Sequence, residues 1–247
     1  PALMAASIAA LRALEAEGFG IRDADFVAGH SLGEYSALCA AGALSLADTA
    51  RLLRLRGTAM QEAVPVGMGA MAAILGLDFA AVDHIARDAA GDEVCQAAND
   101  NDPAQVVISG HKAAVERAAV LAKERGAKRA LMLPVSAPFH SALMQPAAAV
   151  MAEALAAVEI AAPEVPLIAN VRAEPVTEPG AIRRLLVEQV TGAVRWRESV
   201  EFLSGAGVTE FWEIGAGKAL SGMIRRISKD AVVKNIGTPA DIAALKG

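Results

Sequence analysis

The sequence predicts an α/β protein: an α/β-hydrolase-like core on a parallel sheet, with a small ferredoxin-like subdomain inserted into it. Three observations carry this. Helix-like and strand-like segments alternate along the 247 residues, the order that builds parallel sheets covered by helices. Between about residues 68 and 135 the order is β-α-β-β-α-β, that of a ferredoxin-like unit. A Gly-x-Ser-x-Gly pattern, Gly29 to Gly33, lies between an apolar strand and a helix, where hydrolase-like folds turn sharply. The expected boundaries are 1–66 and 137–247 for the core and 67–136 for the subdomain.

The elements follow in order. A helix over 3–17 places Leu3, Ile8, Leu11 and Leu14 on one face. Phe26, Val27 and Ala28 begin a strand over 26–29, followed by the turn and a helix over 33–41. Ser45-x-x-Asp48 is a capping-box variant that opens a long helix to about Ala63. Gly67 and Gly69 break it. A strand over 70–77 and a helix over 79–90 come next. Strands over 94–98 and 105–109 flank a turn at Asn99-Asp100-Asn101-Asp102-Pro103, all turn-forming residues. A helix over 111–125 ends at Gly126 and precedes a strand over 130–135. The second half alternates helix 141–157, strand 166–170, helices 179–190 and 196–206, strand 209–214, helix 217–228, strand 232–236 and a weak helix 240–246. The chain starts at Pro1 already in a helical pattern, so a preceding segment is expected.

Composition narrows the classes. A hydrophobic content of 54% with 4% aromatics suits helices packed closely on a sheet rather than an all-β sandwich. A net charge of −5 argues against nonspecific nucleic-acid binding. Cys39 and Cys95 form no disulfide framework and have no metal-type spacing, as in a reducing cytoplasm. No apolar run reaches the length of a membrane span.

The chemistry centres on Ser31. A serine on a tight strand-to-helix turn has its hydroxyl pushed out of the backbone path, above free helix N–H groups that can hold an oxyanion. Gly29 and Gly33 are expected to leave room where the turn is too tight for Cβ atoms. The N–H of Leu32, next after the nucleophile, is the first oxyanion donor. The base should be a histidine, and the chain has four: His30, His84, His111 and His140. His30 adjoins Ser31 and should point away from it. His84 falls in an amphipathic helix, and His111 follows a strand where it can cap the next helix. His140 lies in a Pro-containing loop after a strand, a place where α/β folds carry catalytic groups. On residue pattern alone, base and surface roles for His140 stay equally open. On residue pattern alone Arg56 reads first as a solvated helix residue beside Arg51 and Arg54.

Several segments together resemble the malonyl-CoA:acyl carrier protein transacylase family. They are Gly29-His30-Ser31-Leu32-Gly33-Glu34-Tyr35-Ser36-Ala37, Arg56-Gly57 with Met60-Gln61-Glu62, and Gly69-Ala70-Met71-Ala72-Ala73-Ile74. Gln105 to His111, Pro134-Val135-Ser136-Ala137-Pro138-Phe139-His140 and Glu213-Ile214-Gly215-Ala216-Gly217-Lys218 complete the set. The resemblance implies that Ser31 carries the acyl group and His140 is its base, held by the main-chain carbonyl of Gln189. It implies that Arg56 grips the free malonyl carboxylate, for which a planar guanidinium is suited. It places His30, Phe139, Asn99 and Asn101 at substrate-contacting positions. It further implies a second oxyanion donor in an upstream Gly-Gln-Gly-Ser-Gln segment.

The implied reaction uses malonyl-CoA and holo acyl carrier protein in ping-pong exchange, in a cytoplasmic monomer with no metal, cofactor, nucleic acid or membrane. An acidic carrier would meet local basic residues, with Arg183, Arg184, Arg195, Arg197, Lys218, Arg225 and Arg226 as candidates. Three other readings compete: a serine esterase or thioesterase, an acyltransferase module of a polyketide synthase, and a non-catalytic binding relative. An esterase has no need of Arg56, and a binding relative has none of Ser31, His140 and Arg56 together.

Overall fold

The structure, a computed structural model, describes residues 1–135 and 137–245. It is mixed α/β. In chain order the elements are α1 (Ala2–Ala16), β1 (Val27–Ala28), α2 (Leu32–Ala40), α3 (Leu46–Glu62), β2 (Gly69–Leu75), α4 (Phe79–Ala90), β3 (Cys95–Asp102) and β4 (Gln105–His111). Then come α5 (Lys112–Glu124), β5 (Arg129–Met132), α6 (Gln145–Ala156), β6 (Leu167–Ala169), β7 (Glu174–Val176) and α7 (Pro179–Thr191). The chain continues through α8 (Trp196–Gly205), β8 (Glu210–Ile214), α9 (Ala219–Ile227), β9 (Val232–Ile236) and α10 (Pro239–Ala243). Ser136 of the quoted loop motif, and Lys246 at the end of the expected last helix, lie outside the described residues.

The chain divides into two compact units. One comprises Pro1–Arg54, Val158–Arg183 and Glu198–Gly247; the other comprises Leu55–Ala157 and Arg184–Arg197.

The first unit holds two small sheets. β1 and β6 run parallel with Val27 opposite Leu167, and β8 and β9 run parallel from Glu210↔Val232 to Ile214↔Ile236. β7, not expected from sequence, adds an antiparallel strand to β6. Its Glu174-Pro175-Val176 is too short to show a period. α1 buries Met4, Ile8, Leu11 and Leu14, whereas Leu3 is 55% exposed. The stripe therefore starts at Met4, because a 3.6-residue turn puts positions 4, 8 and 11 on one face. Leu14 packs with Ile236, Ile242, Phe19 and Trp212. The cap that opens α3 forms: the Ser45 hydroxyl accepts the Asp48 N–H at 3.0 Å.

The second unit holds an antiparallel sheet of order β3-β4-β2-β5, with α4 and α5 between its strands in sequence. β2 shows why it forms. Ala70, Ala72 and Ile74 pack with Val82, Ile85, Val115 and Ala118 of the two helices. Met71 and Ala73 pack on the opposite face with Ala98, Val107, Leu133 and Phe139. This two-residue period is that of a strand buried on both faces.

One expectation fails here. Asn99 to Asp102 are not a turn but the end of β3, which runs to Asp102 through two irregularities, Ala97/Asn99 and Asp100/Asp102. The hairpin turn is left to Pro103 and Ala104. Tertiary pairing overrides local preference: the Asp100 N–H donates to Val194 O at 2.9 Å, and Val194 N–H donates to Ala98 O at 2.9 Å. All four side chains are buried.

Candidate active site

In the first unit, the turn between β1 and α2 carries Ser31. Its φ is +53°, a region that residues with a Cβ seldom adopt. Local hydrogen bonds close the turn: Gly33 N–H to His30 O at 2.9 Å and Glu34 N–H to Ser31 O at 3.1 Å. A Cβ on Gly29 would sit 2.0 Å from Gly33 O. Gly33 itself has nothing within 4 Å of such a Cβ. Steric need thus falls on Gly29 alone, correcting the expectation for both glycines. His30, Ser31 and Leu32 are partly exposed. Leu32 opens α2, and the first-turn N–H groups of a helix have no intrahelical acceptor and lie at its positive end.

Asn170 was not found from sequence. It follows β6, whose parallel register with β1 brings its first residue after the strand beside the turn. Its Oδ1 accepts the Ser31 N–H at 2.7 Å and its Nδ2 donates to Gly29 O at 2.8 Å. Its own N–H donates to the buried carboxylate of Glu34 at 3.3 Å. The only sequence signal is a buried-looking strand, Leu167-Ile168-Ala169, ending in an amide.

In the second unit, His140 is 3% exposed and also has a positive φ, +56°. Its Nδ1 lies 2.8 Å from the main-chain oxygen of Gln189. A carbonyl only accepts, so Nδ1 carries the proton in this bond and Nε2 keeps the lone pair, the tautomer a base requires. Gln189 lies in the last turn of α7, where helix carbonyls lack intrahelical donors and the dipole is negative. The loop around His140 is braced twice. The buried Ser141 hydroxyl donates to Pro138 O at 2.7 Å, and the Ala142 N–H donates to the Gln96 side chain at 3.0 Å. Pro138 lies directly over β2: a Cβ on Gly69 would meet its ring at 2.3 Å.

Arg56, on α3, is 6% exposed rather than solvated. One of its Nη groups donates to the side-chain oxygen of Gln189 at 2.9 Å. The second unit thus brings together three predicted residues, with Gln189 at the centre. Phe139 is half-buried against the sheet face of Met71 and Ala73. Asn99 and Asn101 are buried on β3. His111 stands at the N-cap of α5 but forms no side-chain cap; its Nδ1 instead accepts the Val94 N–H at 2.9 Å. His84 is exposed and faces Asp88 at 3.4 Å.

Arg197 differs from the free surface cation expected. Its Nε donates to Asp100 Oδ1 at 3.1 Å, its Nη2 lies 2.8 Å from the other carboxylate oxygen, and the carboxylate is fully buried. Arg183 and Arg225 donate to Val158 O and Val233 O. Burial pushes the Cys95 thiol up to about 12. Among the described residues, no group of three His, Cys, Asp or Glu is placed to hold a metal ion. Among the described residues, no helix is long and apolar enough to cross a membrane.

Comparison with known proteins gives the family. The acyl transferase domain family matches residues 1–234. The malonyl CoA-acyl carrier protein transacylase of Escherichia coli K12 is 48% identical over 244 residues, 99% of this chain and 78% of that protein. The crystal structure of the acyl-carrier-protein-S-malonyltransferase of Bartonella henselae is 57% identical with a TM-score of 0.96, over 99% of this chain and 78% of that one. A holo complex of a type II PKS acyl-carrier protein with its malonyl-transacylase is 43% identical with a TM-score of 0.95, over 99% of this chain and 78% of that one. This chain belongs to the acyl transferase domain family, among the malonyl CoA-acyl carrier protein transacylases.

Proposed function

We propose that this protein moves a malonyl group from malonyl-CoA to the thiol of holo acyl carrier protein through an ester on Ser31. The observation that carries the reading is the Gln189 cluster: one buried residue accepts from His140 with its main chain and from Arg56 with its side chain. A simple esterase needs the first bond and not the second.

In the first half-reaction the Ser31 oxygen attacks the thioester carbonyl, the C–S bond breaks, and coenzyme A leaves as its thiol. His140 takes the hydroxyl proton and returns it to the departing sulfur. The second half-reaction runs the same steps backwards with the carrier thiol as nucleophile. The Leu32 N–H supports the oxyanion, a contribution of roughly 10²–10³ in rate for one such donor. Arg56 holds the malonyl carboxylate and disfavours acetyl units, which leave a buried guanidinium without that partner. His30, Phe139, Asn99 and Asn101 are read as lining the substrate path. The chemistry needs no cofactor. At the fold level, the strand order and antiparallel pairing of β2 to β5 support a ferredoxin-like reading of residues 67–136. The parallel pairs β1·β6 and β8·β9, with the turn at Ser31, support a hydrolase-like core.

The test is intact-mass analysis after incubation with malonyl-CoA. One malonyl adduct is expected on the wild type and none on Ser31→Ala, with transfer to holo carrier protein on its addition. Release of free coenzyme A without an adduct, and without transfer, would instead show hydrolysis.

A further inference from the structure

The reaction uses Gln189 only through its carbonyl, which any residue would supply. We infer that the Gln189 side chain is a positioning group for Arg56, and that it sets the preference for acyl units ending in a carboxylate. This rests on the reading of Arg56 above.

Both partners are buried, Gln189 completely and Arg56 to 6% exposure. The 2.9 Å bond between them is therefore shielded from competing water. A guanidinium grips a carboxylate through two parallel N–H bonds, so the angle of its plane matters, not only its distance. Anchoring one Nη group fixes that plane. The anchor is itself fixed, because the Gln189 main chain belongs to α7 and its oxygen is engaged by His140 at 2.8 Å. Both the base and the carboxylate grip are thereby referenced to a single residue. The spacing between them is set by the internal geometry of one glutamine.

The chemistry of the side chain matters as well. An amide oxygen holds a guanidinium without bringing a negative charge to it. A glutamate would supply the same acceptor but compete with the substrate carboxylate for the cation. A leucine of similar size would fill the space and hold nothing.

The experiment compares malonyl and acetyl transfer by wild type, Gln189→Leu, Gln189→Glu and Arg56→Ala, with folding checked by thermal melting. For Gln189→Leu, the malonyl KM should rise about 10-fold or more, the scale for one buried hydrogen bond to a charged group, with a smaller change in kcat. For Gln189→Glu, the malonyl-over-acetyl preference should fall further than for Gln189→Leu. A purely structural role would lower both substrates in parallel in both variants, and that outcome overturns the inference. If Gln189→Leu does not fold, the preference of Gln189→Glu alone decides. If Arg56→Ala keeps the wild-type malonyl preference, the reading of Arg56 itself fails. If Arg56→Ala loses the preference and the Gln189 variants keep it, only the role of Gln189 is overturned.

Discussion

The turn at Ser31 and the loop at His140 solve the same problem in different ways. Each holds a residue with a Cβ at positive φ, +53° and +56°, a conformation that persists only where surroundings enforce it. Each has a glycine under it where backbone or ring comes too close for a side chain, Gly29 and Gly69. The Ser31 turn is mostly closed by neighbours, through Gly29, His30, Gly33 and Glu34, with Asn170 added from across the sheet. The His140 loop is held chiefly from afar: by Gln189, 49 residues on, by Gln96, 46 positions away, and by Gly69. A locally closed turn announces itself as a motif, and a remotely held loop does not.

The largest effect should come from the chemistry. Ser31→Ala should lower transfer by at least ~10⁴-fold, as loss of a nucleophile does when it acts with its base as a unit. His140→Ala should fall on a similar scale, and the double variant should be little worse than either; steady-state rates check this. If the two losses multiply, Ser31 and His140 do not act together.

Next come the glycines. Gly29→Ala places a Cβ far inside contact distance of a backbone oxygen, so a loss of about 4 kcal/mol or failure to fold is expected. Gly69→Ala meets a proline ring on a loop that can shift, so about 2 kcal/mol is expected, with a larger loss of activity than of stability. Urea denaturation beside rate measurements separates the two. Equal, small costs would mean that neither close approach is tight.

Arg197→Ala removes the guanidinium that pairs with a fully buried carboxylate, Asp100. About 3 kcal/mol of stability should be lost, mostly from leaving that charge poorly compensated. Arg197→Lys should recover part of it, because a lysine restores the charge but not the planar guanidinium. A urea midpoint unmoved by Arg197→Ala would make the pair incidental.

A smaller effect concerns Cys95, on β3 beside Gln96. Its raised pKa of about 12, from burial, means the folded state disfavours the thiolate. The contribution is complete below the ordinary thiol pKa, about 9, and is lost as pH rises from there toward about 12. Iodoacetamide at mildly alkaline pH should therefore leave Cys95 unmodified until urea unfolds the chain. Rapid alkylation of the native protein would contradict its placement.

The smallest effect tests the turn's own asymmetry. Gly33→Ala adds a Cβ with no atom within 4 Å, inside α2. Stability should stay level or rise by up to ~1 kcal/mol, as for glycine replaced by alanine in a helix. A melting temperature several degrees lower would restore the symmetric view of the two glycines.

Sequence by itself determined the alternation of elements, the β-α-β-β-α-β stretch and the Ser31 turn. These depend on periodicity and on residues within a few positions of one another. It also pointed, through whole-chain resemblance, to Gln189 as the carbonyl facing His140. Tertiary structure decided the rest. Asn99 to Asp102 favour a turn locally, yet they extend β3 because Val194 and Arg197 pair with that strand. Arg56 looks like one of three solvated arginines until the fold buries it on Gln189. Asn170 is an ordinary residue after a short strand until the β1·β6 register sets it against the turn. In each case the energy comes from partners more than 90 positions away in the chain, and no local propensity encodes a partner that distant.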